Sequence, residues 1–182
     1  MSTLKKHRIT LTIEFESIYR DIYDKTLKLA KLQRLASEDA DAGDELEAEL
    51  QIEPSDDSNL LRGEMTTSLA FIGVMLSPWV WEKGHEADAR IIKEEEVTII
   101  MNAPLNFDLA LRTPLARLIK TYIVNRTLGA WCQLTNPNRA AEYMTLAQEA
   151  EKGIKAIKSK RVRPLRNGTE VHIIVDSDNP NT

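Results

Sequence analysis

Three histidines and a single cysteine are the side chains best suited to bond-making chemistry here, and none of the four has a companion at a useful spacing. His7, His85 and His172 are far apart in the chain, whereas a zinc or iron site needs several convergent ligands. His85, Glu86 and Asp88 stand together and could hold a cation, but a solvated connector is the plainer reading. The seven glycines are scattered, so no phosphate-cradling loop is formed. No Ser-His-Asp or Cys-His pairing rises above chance. Cys132, next to Trp131, reads as a small packed side chain rather than a nucleophile. Being alone it excludes an internal disulfide, and it fits a reducing compartment. These patterns lead away from enzymatic function, and no cofactor or metal is expected.

Charge is the stronger signal. The formal net charge is -4, but the two signs are segregated. Residues 38–57 carry acids at 38, 39, 41, 44, 45, 47, 49, 53, 56 and 57 with no Lys or Arg. Residues 152–166 carry Lys152, Lys155, Lys158, Lys160, Arg161, Arg163 and Arg166 with no acid. Segregated charge concerns partners more than fold. The basic run suits phosphate or an acidic protein surface. Its plain alternative is a solvated helix end that complements the C-terminal dipole. Arg161, Arg163 and Arg166 extend past the reach of that dipole, which favours a contact. The run lacks interleaved aromatics, which argues against specific nucleic-acid binding. The acidic block reads as a solubilising loop, or as a surface that docks a basic partner or lines a channel. Trp79 and Trp81, flanking Val80 after Pro78, either form an exposed contact or cap the core.

The elements that would position these residues follow from periodicity. At 182 residues, with 42% hydrophobic and 29% charged side chains, the chain suits one α-dominated domain with much solvated surface. Residues 8–15 alternate with period two and are rich in β-branched types, predicting a strand. From Glu16 the period becomes helical, with Ile18, Ile22, Leu29, Leu32 and Ala36 on one stripe. The acidic block then forms a loop with at most a short helix. A helix is predicted from Asn59 to Trp81. Leu61, Met65, Leu69, Ile72 and Leu76 make its stripe, and Phe71, Val74 and Met75 widen it over most of the circumference. Such a helix is central in the core or shared with a neighbouring subunit. The apolar window 69–81 is well short of the roughly 20 residues that span a bilayer. Residues 1–15 lack the continuous apolar stretch of a signal peptide, so no membrane association is expected.

After Gly84 a polar connection leads to a strand over 95–101, stopped by Asn102 to Pro104. Thr113-Pro114 is read as a helix start, with Leu105 to Arg112 as a preceding turn. Leu115, Leu118, Ile119, Tyr122, Ile123, Ala130, Trp131 and Leu134 mark the buried side of that helix. Thr135-Asn136-Pro137-Asn138 breaks it. Tyr143, Ala147, Ala150, Ile154 and Ile157 then form a narrow stripe that packs back against it, making an antiparallel helical hairpin. Val171, Ile173 and Val175 suggest a last strand over 169–175.

The stretch Thr121 to Trp131, then Thr135 to Asn138, then Ala140 to Arg166 resembles the C-terminal helical hairpin of head-to-tail connector (adaptor) proteins from tailed bacteriophages and prophages of Bacteroidetes. The likeness covers roughly a quarter of the 182 residues. It implies a non-enzymatic virion protein at the head–tail junction, resident in host cytoplasm during assembly. It further implies a homo-oligomeric ring of about twelve copies, contacting the portal protein and neighbouring tail or stopper proteins, with DNA passing through the channel. Strands 8–15 and 169–175 would then complete a sheet across subunits. Two readings remain beside it: a monomeric helical binding module or assembly chaperone, and a nucleic-acid-associated protein using residues 152–166.

Overall fold

A computed structural model describes residues 6–36, 58–77, 79, 89–92 and 96–161. The acidic block, Trp81, Arg163, Arg166 and the strand expected over 169–175 lie outside these residues. Within them the chain is mainly helical with a minor sheet. The order is β1 (Lys6–Glu14), α1 (Phe15–Ala36), α2 (Ser58–Leu76), β2 (Ala89–Ile92), β3 (Glu96–Pro104), a 3₁₀ turn (Leu109–Leu111), α3 (Arg112–Thr135) and α4 (Pro137–Ser159).

The sheet is antiparallel in the order β1-β3-β2. Strand alternation sets its register: Ile9 lies opposite Met101, Leu11 opposite Ile99 and Ile13 opposite Val97. All six side chains are buried, so one face of the sheet is core. The first strand lies at one edge of this sheet, so its outer edge is the one that addition across subunits would use. It pairs along its whole length with β3 of its own chain. β2, which the polar look of residues 85–95 concealed, pairs with the other edge of β3.

Helix α1 buries Ile18, Ile22, Thr26 and Ala30 along an i+4 row, and Leu32, expected on that stripe, is exposed. Thr26 is tolerated inside because its hydroxyl donates to Tyr23 O at 2.9 Å. Helix α2 ends at Leu76 rather than Trp81. The chain turns there, with Ser77 N bonding Val74 O and Trp79 N bonding Leu76 O, and Pro78 has no amide to continue the ladder. Asn102 N then donates to Trp79 O at 2.8 Å, tying this turn to β3.

Helix α3 is the hub. It contacts α1, α2, α4 and β1, so it buries residues on several sides rather than one. Leu115, Ile119, Tyr122, Ile123, Val124, Asn125, Thr127, Leu128, Gly129 and Cys132 are all inside, whereas Leu134 is exposed. It starts at Arg112, directly after the 3₁₀ turn that Asp108 caps by accepting from Ala110 N at 3.0 Å. Thr113 is therefore inside the first turn, not its cap. Pro114 is accommodated there because the first-turn amides have no intrahelical acceptor.

Asn136 alone joins α3 to α4. At φ −148° and ψ 84° it leaves helical space. Its N–H donates to Cys132 O at 2.7 Å and its Oδ1 accepts from Arg139 N at 3.3 Å. One residue thus ends one helix and caps the next, and Pro137 begins α4 where a missing amide costs nothing. Ala147, Ala150 and Ile154 of α4 are buried, with Tyr143 and Ile157 partly buried, as the narrow stripe predicts. The small residues bring the helices close. A Cβ placed on Gly129 would sit 2.7 Å from Met144 Sδ, and one on Gly153 would sit 2.9 Å from Leu118 Cδ1.

Candidate functional site

The basic end of α4 divides into two parts. Lys152, Lys155 and Lys160 are exposed. Lys155 pairs with Glu151 one turn earlier, a contact of small net worth at a surface. Lys158, by contrast, turns inward to the C-terminus of α2. Its Nζ donates to Met75 O at 2.7 Å and to Ser77 O. Those carbonyls have no helical donor of their own, so the ammonium acts as a C-cap supplied from another helix. Partial burial, reinforced by Lys155 and Arg161, pulls the Lys158 ammonium below the usual lysine range.

Arg161 is also part of the fold. Its guanidinium lies 5.4 Å from the Trp79 ring centre and donates to Lys158 O and Lys160 O. Trp79 is 4% exposed and meets Phe107 edge-on at 5.1 Å. Of the two readings of Trp79, exposed contact or core cap, the structure shows the second, with its ring closing the space between the α2 turn and the segment after β3. Two of the five basic residues described between 152 and 161 therefore hold the molecule together. The other three, Lys152, Lys155 and Lys160, face solvent.

A second polar group joins α1 to the hairpin. Lys25 donates to Asn125 Oδ1 at 2.9 Å and lies 6.0 Å from the Tyr143 ring centre. Burial depresses the Lys25 ammonium, and nearby Asp21 opposes that effect. Burial raises Tyr143 and Cys132. Each shift comes mainly from loss of water, and at Cys132 the nearby Arg139 offsets only part of it, so the neutral thiol is favoured. Among the described residues no three His, Cys, Asp or Glu side chains gather as metal ligands. No described helix is long and apolar enough to cross a membrane.

The feature missed from periodicity is the outer face of α2. Phe71 is 46% exposed and Val74 70%, so the widened stripe does not close around the helix. Together with Met75, Tyr122, Glu151 and Lys155 they line a groove of about 380 Å³ between α2 and α4. The guanidinium of Arg126 lies 4.2 Å from the Phe71 ring centre and reaches Tyr122 Oη at 3.5 Å. Its buried Nε has no hydrogen-bond partner among the described residues. The available signal was negative: from Leu60 to Leu76 the only charges are Arg62 and Glu64, too few for a solvated surface helix. Comparison with models of known protein families, with curated proteins and with solved structures finds no match to this chain.

Proposed function

We propose that this protein is a non-enzymatic structural subunit, a head-to-tail adaptor that assembles as a homo-oligomeric ring between portal and tail. The observation that carries the reading is the α3–α4 hairpin, two helices of 24 and 23 residues joined by Asn136. It occupies the segment that resembles the connector hairpin. Apolar side chains left outside the core support a contact role: Leu32, Leu35, Phe71, Val74 and Leu134 are all at least 46% exposed. Isolated exposed leucines are ordinary, but an apolar helix face on one small chain suits docking. In this reading the partners are further copies of the chain, the portal protein and the tail or stopper proteins, with DNA in the channel.

The test is co-expression with portal and tail proteins of a tailed bacteriophage of Bacteroidetes, followed by electron microscopy of the purified assembly. Rings of cyclic symmetry stacked on the portal are the expected result. A protein that co-purifies with neither portal nor tail components, and forms no ring with them, would remove the reading.

A further inference from the structure

The open face of α2 has a symmetry of its own. Leu60, Gly63, Thr67, Phe71 and Val74 are all exposed. At about 100° per residue they fall within one narrow arc, opposite the buried row of Leu61, Met65, Leu69, Ile72 and Leu76. Their separations read the same in both directions from Thr67. A second α2 laid antiparallel across this one, with the two Thr67 residues facing each other, brings Phe71 over the partner's Gly63 and Val74 against its Leu60. The two large side chains of one half thus meet a hollow and an apolar contact in the other.

Three further observations fit that arrangement. A Cβ on Gly63 would touch nothing in its own chain, yet a mid-helix glycine is unfavourable unless something needs the space. Thr67 Oγ1 donates to Gly63 O at 3.0 Å, so its hydroxyl is already satisfied and its methyl is free to face outward. Glu64 lies on the same flank of the arc as Phe71, and the twofold places it at the height of the partner's Phe71, where the partner's Arg126 is stacked. Neither Glu64 nor Arg126 forms an ion pair among the described residues. We propose that a second copy of this chain covers the α2 face, giving a twofold dimer centred on Thr67.

A twofold contact closes at two copies and cannot by itself build a cyclic ring. The dimer is therefore a form of the free protein, and it stands or falls independently of the assembly proposed above. One helix-on-helix contact is at the small end of specific interfaces, so a Kd on the order of 10–100 µM is expected.

Sedimentation equilibrium of the full chain over that range tests this. The wild type should shift from monomer to dimer with concentration. Gly63→Leu, whose Cβ meets nothing within 4 Å in its own chain, should weaken dimerisation at least tenfold with an unchanged circular dichroism spectrum. Glu64→Lys should weaken it several-fold. Thr67→Cys should be captured as a dimer by mild oxidation or a short bis-maleimide, whereas Thr66→Cys, off the arc, should not. A wild type that stays monomeric throughout overturns the proposal. So does self-association that Thr67→Cys fails to capture and Gly63→Leu leaves intact.

Discussion

The α3–α4 hairpin and helix α2 use the same device to opposite ends. In the hairpin, Gly129 and Gly153 make room for Met144 and Leu118, and the two helices close on each other. In α2, Gly63 makes room for nothing within the chain, and the large side chains beside it face water. The outer surface of α4 carries ordinary charges such as Arg139, Glu142 and Lys152, whereas the outer arc of α2 has only Glu64 on its flank. One region has its packing completed inside the molecule. The other has a packed inner face and an unfinished outer one. Lys158 of α4 bonds the last carbonyls of α2, so the finished region anchors the unfinished one.

The largest effect should come from opening the finished side. Ile154 is fully buried in the hairpin seam, and Ile154→Ala should lower unfolding free energy in urea by about 3 kcal/mol through lost burial and a residual cavity. A loss under 1 kcal/mol would mean that the seam is loosely packed. Next is the tie between the regions. Lys158→Met removes two charge-assisted hydrogen bonds and should cost about 1–2 kcal/mol, while Lys152→Met should change stability by less than about 0.5 kcal/mol. Equal effects would show that the basic run acts as one solvated stretch.

The glycines give the most direct contrast. In the dilute monomer, Gly63→Ala should raise stability by about 1 kcal/mol, because helix propensity improves and no atom is met. Gly153→Ala should not show that gain, since Leu118 must move. Matching gains at both sites would break the distinction between closed and open faces.

The smallest effect concerns Cys132. Burial favours its neutral thiol, so the unfolded chain loses the proton first as pH rises past the ordinary thiol value of 9.0. Stability from this group is intact below that value and declines above it. Tyr143 acts in the same direction at higher pH, and Lys25, whose ammonium burial disfavours, acts in the opposite one. The stability advantage of wild type over Cys132→Ala should therefore shrink between about pH 8 and about pH 10. An advantage that grows over that interval would contradict the burial.

Much of the fold could be read from the residues because local rules and tertiary contacts agreed. Ile9, Leu11 and Ile13 alternate and do face the core. Asn136-Pro137 breaks a helix and does cap the next. The errors occur where tertiary context overruled the pattern. Periodicity gives α3 one buried side because a local pattern implies one neighbour, and as the hub it has several. β2 leaves no mark in the pattern because four residues in a charged stretch have no alternation long enough to register. For the candidate site, Lys152, Lys155 and Lys160 remain on the surface as expected, but Trp79 is buried, Lys158 is half-buried against the α2 terminus, and Arg161, though exposed, lies over the Trp79 ring. Three basic residues spaced like Lys152, Lys155 and Lys158 look alike in a sequence, and only the position of the α2 terminus separates them.

Periodicity and cap chemistry were enough to determine the mainly helical class, the two principal strands, the hairpin and its single-residue break, because those depend on contacts a few residues apart. The sign and segregation of charge were equally plain. Which lysine caps a helix, which tryptophan is buried and which apolar face of α2 stays open depend on residues that meet across some 80 positions of chain, as Lys158 and Met75 do. Such contacts follow from how the elements pack, and no local spacing encodes them.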